Sequence, residues 1–133
     1  MAANPYLTAD EAARLAQARI GIAGAGGLGS NCAMHLVRAG VRRLVLADFD
    51  MVAPSNLNRQ FFFRDQIGRK KVDALAENLR RIEPDLELTL HDVRLDAAAV
   101  ATVFAGCDIV VEAFDGVAAK AMILAALVPA GRR

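Results

Sequence analysis

The chain has 133 residues, 55 % of them hydrophobic and 23 % charged, with a formal net charge of +1. That length suits one domain, that apolar share excludes a disordered chain, and that charge gives no bulk attraction for nucleic acid or an anionic membrane. No apolar stretch reaches the roughly 18 residues of a membrane span. The N-terminus, MAANPYLTADEAARLAQ, lacks the basic start and apolar middle of a secretory signal. A cytoplasmic protein that engages neither nucleic acid nor membrane is expected.

In chain order, Thr8 and Glu11 have the spacing of a capping box, which predicts a short amphipathic helix to about Gln17. Arg19–Ala23 is a brief apolar run ending at glycines and reads as a buried strand. After Gly29, Ser30–Ala39 places Cys32, Leu36 and Ala39 at helical spacing, and Gly40 stops the helix. Arg43–Ala47 is a second strand closing on Asp48-Phe49-Asp50. Met51–Arg64, with its proline, asparagines and three consecutive phenylalanines, predicts a long ordered loop with up to one helical turn.

A helix follows from about Arg69 to Ile82, with Val72, Leu75, Leu79 and Ile82 on one face, and Pro84 ends it. Leu86–Leu90 alternates apolar and polar residues, as a half-buried or edge strand does. Asp96 opens a small-residue helix to about Phe104, Asp108–Ala113 is a fourth strand, and Asp115 or Gly116 begins a last helix to about Val128. Such alternation predicts a Rossmann-like, doubly wound α/β fold, its sheet mostly parallel with helices on both faces. We read residues 1–133 as one nucleotide-binding domain, an N-terminal helix over 1–18 and the core over 19–133. The chain stops where a fifth strand is expected, so the sheet reads as incomplete on its C-terminal side.

Gly24-Ala25-Gly26-Gly27-Leu28-Gly29 fits G-x-G-x-x-G between a strand and a helix. Glycine serves there because the backbone turns sharply and a phosphate approaches it without a Cβ in the way, beside the positive end of the next helix. Packing alone also accounts for glycines in a tight turn. Asp48 lies 19 positions after Gly29, where an acid accepts from a ribose hydroxyl. The competing role, a turn or cap carboxylate, falls more naturally to Asp50.

Ser55-Asn56-Leu57-Asn58-Arg59-Gln60 and Gly68-Arg69-Lys70-Lys71-Val72 favour a triphosphate, because Arg and Lys complement charge on phosphoryl oxygens. Taken singly, Arg59 and Lys71 are better explained as solvated surface residues; together with the glycine loop, that reading becomes the weaker one. Cys32 and Cys107 form no C-x-x-C pair, so zinc is not expected and both read as buried, inert thiols. His35 and His91 read as packed or exposed imidazoles without a chemical role.

The blocks GAGGLGSN, LADFDMVAPSNLNRQ, IGRKKVDALAENLRRIEPDLEL and VVEAFD resemble the ThiF/MoeB group of the ubiquitin-activating-enzyme superfamily, from about Ala18 to Lys120. The likeness is strongest to its short ThiF-like branch, linked with thiamine biosynthesis. The resemblance implies an adenylyltransferase that uses ATP and Mg2+ to adenylate the C-terminal carboxylate of a ubiquitin-like, ThiS-like sulfur carrier protein, releasing pyrophosphate. It implies that Gly24, Gly26, Gly27 and Gly29 cradle the nucleotide, and that Asp48 binds the ribose. Ser55, Asn56, Asn58 and Arg59 would line the ATP site, with Arg59 and Lys71 on the phosphates and Asp115 holding the metal ion. Asp115 would also suit the N-cap of the last helix.

The resemblance further implies a homodimer. The R-Y-x-R-Q-like segment of larger members is absent here, where the sequence reads NPYLTADEAARLAQAR; Arg14 is the candidate replacement, with plain helix solvation as its other reading. The zinc-binding and sulfur-accepting cysteines of larger members have no counterparts. Two alternatives stay open: an NAD(P)-dependent oxidoreductase, and a non-catalytic ATP-binding fragment or partner subunit.

Overall fold

The computed structural model describes residues 4–114 and, beyond them, residues 121, 122, 125 and 127. The first helix, α1 (Ala9–Gln17), begins with the expected capping box: Thr8 Oγ1 accepts from Glu11 N at 3.1 Å, and Glu11 Oε1 accepts from Thr8 N at 2.9 Å. The chain then runs through β1 (Arg19–Ala23), α2 (Gly27–Ala39), β2 (Arg43–Ala47), α3 (Lys71–Ile82), β3 (Glu87–His91), α4 (Ala97–Val103) and β4 (Ile109–Glu112). The strands form one sheet in the order β3-β2-β1-β4, and every pairing is parallel.

Buried parallel strands carry side chains into apolar layers on both faces. In β2, Leu44 and Leu46 join a core with Val37, Val72, Leu75 and Leu79 of α2 and α3. Val45 and Ala47, the residues between and after them, join a second core with Val100, Phe104, Cys107 and Val110. The expected two-sided α/β architecture is therefore present. β3 lies at the sheet edge, as its alternating pattern suggested, and none of its residues is fully buried.

Several boundaries differ from the sequence reading. The second helix starts at Gly27 rather than Ser30, so two of the loop glycines belong to its first turn. α3 starts at Lys71 rather than Arg69, because Arg69 O accepts from Val52 N (2.8 Å) and Lys70 bridges Met51. The fourth strand is shorter than Asp108–Ala113, and the Asp108 carboxylate accepts instead from Arg19 N at 2.8 Å.

The long loop after β2 is ordered and holds one short 3-10 turn, Pro54–Asn56, within Met51–Arg64; a second, Arg64–Gln66, follows at its end. Buried carboxamides tie it to α3. Gln66 Nε2 donates to Asn78 Oδ1 at 2.7 Å, and Asn78 Nδ2 donates to Phe61 O at 2.9 Å. Most of the helix expected from Asp115 or Gly116 to Val128 lies outside the described residues.

Candidate functional site

In an open parallel sheet, ligands settle at the carboxyl ends of the strands where the strand order reverses. Here that point is the end of β1, flanked by β2 on one side and β4 on the other. Gly24, Ala25 and Gly26 occupy it. Gly24 has φ +104°, in the left-handed region that favours glycine, and its N–H donates to Ala47 O at 2.9 Å. Gly26 is the N-cap of α2, with no side chain capping the helix and no acid in its first turn. The first-turn amides thus present a partial positive charge without a side-chain acceptor, which is the arrangement that binds anions.

The two glycines inside α2 do different things. A Cβ on Gly29 would stand 1.8 Å from Gly24 O, so its bareness lets the helix press against the turn. A Cβ on Gly27 would meet nothing closer than Arg59 Cγ at 3.8 Å. Packing explains Gly29; it leaves Gly27 unexplained and free for a ligand's approach.

Asp48 is buried, and both its oxygens are engaged: Oδ2 accepts from Ala25 N and Oδ1 from Asp50 N, each at 2.7 Å. This corrects the assignment of the turn role to Asp50, which is exposed and contributes a backbone amide. The reason is position. Asp48 follows directly on a buried strand beside the glycine turn, so its carboxylate must find donors there. Each carboxylate oxygen keeps acceptor capacity for a further donor.

Arg59 is exposed, and its stem lies beside Gly27. Its Nη1 donates to Ser55 O and to Asn58 Oδ1, both at 3.0 Å. Ser55, Asn56 and Asn58 therefore shape the loop: Asn56 Oδ1 accepts from Ala53 N at 2.7 Å, and Ser55 and Asn58 orient the guanidinium. Lys71 is buried at 6 % exposure, which removes the surface-solvation reading for it. Its backbone N–H donates to Asp50 O at 3.0 Å, so α3 opens next to the end of β2. Among the described residues its ammonium enters no ion pair. Asp115 lies outside the described residues.

Three residues absent from the sequence-based site emerge at its centre. Ser30 Oγ donates to Gly26 O and accepts from Phe61 N at 3.0 Å. Asn31 Nδ2 donates to Gly27 O and to Arg59 O, each at 2.7 Å. The first turn of α2 thereby clasps the Arg-bearing loop, and Gln60 is held between the two attachments. Their sequence traces were the polar Ser-Asn pair directly after the last loop glycine and the place of Gln60 at the end of the Ser55–Gln60 stretch.

The remaining candidates stay outside this constellation. Arg14 pairs with Asp10 at 3.1 Å on the exposed face of α1. His35 is exposed and His91 ends β3. Cys107 is buried, but Cys32 is only partly so, a correction to the expectation of two buried thiols. Its desolvation still pushes the Cys32 thiol pKa up from its ordinary value. Two clefts, one lined by Leu7, Glu11, Arg14 and Leu15 and one including Phe61, Phe63 and Arg81, contain none of the site residues.

The ThiF family profile matches residues 2–132. The molybdopterin-synthase adenylyltransferase of Salmonella typhimurium is 38% identical over 107 residues, 80% of this chain and 43% of that protein. The sulfur carrier protein ThiS adenylyltransferase of Escherichia coli is 39% identical over 116 residues, 86% of this chain and 46% of that protein. Among solved structures, E. coli tRNA N6-threonylcarbamoyladenosine dehydratase in complex with AMP superposes with a TM-score of 0.87 at 33% identity, covering 91% of this chain and 51% of that one. The same protein is also solved with ATP, with equal similarity. The chain thus spans less than half the length of these two curated relatives.

Proposed function

This chain belongs to the ThiF family, and from that premise we propose that it is the nucleotide-binding domain, residues 1–133, of an ATP-dependent adenylyltransferase acting on a ubiquitin-like, ThiS-like sulfur carrier protein. The observation that carries this reading is the clasp of Arg59 across an uncapped helix N-terminus, with its stem beside Gly27. That puts a planar cationic fork next to free amides, a combination suited to phosphoryl oxygens.

In the reaction, the carrier's terminal carboxylate attacks the α-phosphorus of ATP. A carboxyl–phosphorus bond through oxygen forms, the α–β phosphoanhydride breaks, and pyrophosphate leaves. The carboxylate is ionised at neutral pH and needs no base. Arg59 and Lys71 offset the charge that builds on the phosphates, and the backbone amides at Gly27 hold the triphosphate in line. Asp48 adds a ribose hydroxyl to the donors its oxygens accept from. One carboxylate from Asp115 together with phosphate oxygens is the mixed donor set magnesium takes, and the ion would neutralise phosphoryl charge there.

Membership of the family leaves the oxidoreductase alternative without support. The acceptor is a separate question, because the similar proteins named above include both carrier adenylyltransferases and a tRNA-modifying dehydratase. A homodimer and a cytoplasmic location complete the proposal. No helix among the described residues is long and apolar enough to cross a membrane. The test is ATP–pyrophosphate exchange with a ThiS-like carrier. Carrier-dependent exchange that drops about 100-fold or more in Arg59→Ala supports the reading. Exchange at the wild-type rate in that variant refutes it.

A further inference from the structure

The buried carboxamides that tie the loop to α3, Gln66 and Asn78, are 1 % and 2 % exposed. Taking polar groups out of water costs stability unless their bonds are met. Here they are met reciprocally: Gln66 Nε2 donates to Asn78 Oδ1 at 2.7 Å, and Asn78 Nδ2 donates to Gln66 Oε1 at 3.0 Å. Each also grips the loop backbone. Asn78 Nδ2 donates to Phe61 O at 2.9 Å, and Gln66 Oε1 accepts from Phe63 N at 3.0 Å. Phe62, between the two gripped residues, is 5 % exposed and already seats the loop in the core. What the carboxamides add is direction, which apolar packing does not supply.

Phe61 is held by two helices at once. Its N–H donates to Ser30 Oγ of α2 at 3.0 Å, and its carbonyl accepts from Asn78 of α3 at 2.9 Å. Arg59 lies two residues earlier, its own carbonyl bonded to Asn31 of α2 at 2.7 Å. On α3, Lys71 and Asn78 are seven positions apart, which puts them on one face of the helix, and both are buried. Asn78 therefore joins the helix that carries Lys71 to the loop that carries Arg59. Ser30 and Asn31 join that same loop to the helix of the glycine turn. The three elements assigned to phosphate binding are locked in one arrangement, and the carboxamide pair is what brings α3 into it.

We infer that Asn78, with Gln66 as its bonded partner, is a positioning residue: through Phe61 it sets the separation of Arg59 from Lys71, so that both cations act on one polyphosphate. It works through those two residues and not on the ligand. The inference rests on the nucleotide reading of the glycine loop and adds to it the element that fixes the spacing of its cations. Charges on long stems from separate elements act together only when their backbones keep one distance, and a misplacement of about 1 Å costs up to about 100-fold in rate.

The experiment is calorimetric titration of the intact chain with ATP and with adenosine, for wild type, Asn78→Leu, Arg59→Ala and their combination, with the unliganded unfolding temperature of each measured alongside. Asn78→Leu keeps a side chain of similar size and removes its grip on Phe61. ATP affinity should fall about tenfold, the lower end of what a lost hydrogen bond to a charged group costs, with adenosine affinity held within about twofold. A purely structural role would leave the two substitutions independent. Positioning couples them: Arg59→Ala should cost at least about threefold less ATP affinity in the Asn78→Leu background than alone.

Wild-type ATP affinity in Asn78→Leu overturns the inference while leaving the nucleotide site standing. So does a parallel loss for ATP and adenosine, or an Arg59→Ala effect of equal size in both backgrounds. Absence of ATP binding by the wild-type chain overturns the nucleotide reading itself, and this inference with it. Should Asn78→Leu fail to fold, Gln66→Met/Asn78→Leu takes its place, because it leaves neither carboxamide unpaired, and the same outcomes decide.

Discussion

Alanine placed at each of the two glycines inside α2 should separate their roles. At Gly29 the new Cβ would lie 1.8 Å from Gly24 O and 2.7 Å from Gly24 C, so helix and turn must part by more than about 1 Å before the contact is tolerable. The turn has little freedom to yield, because Gly24 N is bonded to Ala47 O at 2.9 Å and Ala25 N to Asp48 at 2.7 Å. That sets the cost near the upper end of overpacking, about 3 kcal/mol. The better helix propensity of alanine offsets about 1 kcal/mol. The net loss of about 2 kcal/mol should lower the melting temperature by roughly 6–10 °C in a chain of this size.

At Gly27 the nearest atom would be 3.8 Å away, so the unliganded protein should be unchanged or slightly more stable. The same methyl group occupies the phosphate's approach, and ATP affinity should fall at least about tenfold, or 1.4 kcal/mol. Thermal unfolding and calorimetric titration of both variants measure the two effects. A Gly29→Ala protein as stable as wild type would refute the packing argument. A Gly27→Ala protein that binds ATP normally would refute the approach of a phosphate to that backbone.

Lys71→Met should keep or raise the unliganded melting temperature, because it replaces a buried amine with a thioether of similar length, while ATP affinity falls at least about tenfold with adenosine affinity unchanged. A clear loss of unliganded stability would mean that the amine holds the structure rather than a phosphate. Asp48→Ala strips the acceptor from the buried Ala25 amide, so stability should drop by about 1–3 kcal/mol along with nucleotide affinity. Adenosine bound as tightly as by wild type would remove the ribose role.

The pKa values of Glu77 and Glu87 are lowered chiefly by hydrogen bonds from Arg69 and Arg43. A lowered carboxylate pKa stabilises the fold above its unfolded value, and that contribution is lost as pH falls through the folded value. The melting temperature should therefore fall less between pH 5 and pH 3, roughly the window of carboxylate titration, in a Glu77→Gln/Glu87→Gln double variant than in wild type. Identical slopes would remove these pairs from the acid response.

Local signals that depend on neighbouring residues were legible. The Thr8–Glu11 capping box, the apolar runs of β1 and β2 and the alternation of β3 each reflect a short-range rule, and each element formed where that rule acts. Boundaries went astray where a distant partner intervened. Asp108 turns to Arg19 N across the sheet, and Arg69 pairs with Val52 across the loop, so neither joins the element its neighbours suggested. The first turn of α2 was misread for a related reason. Glycine is a poor helix former, and only the closeness of Gly24 O shows why one is required at position 29.

By itself, the order of apolar runs and the G-x-G-x-x-G spacing determined a two-sided parallel α/β fold with a glycine-rich first turn, because strand burial and glycine bareness are properties of the local chain. The sequence also singled out Arg59 and Lys71, but charge alone could not tell a solvated residue from a ligand. Tertiary structure takes Lys71 off the solvated surface by burying it and ties the Arg59 carbonyl to Asn31, while the Arg59 side chain stays exposed. It also decided the duties of Asp48, and brought out Ser30 and Asn31, whose importance lies in bonds to residues about 30 positions away. Such pairings arise only when the sheet brings separate loops to one edge, and no window of sequence contains them.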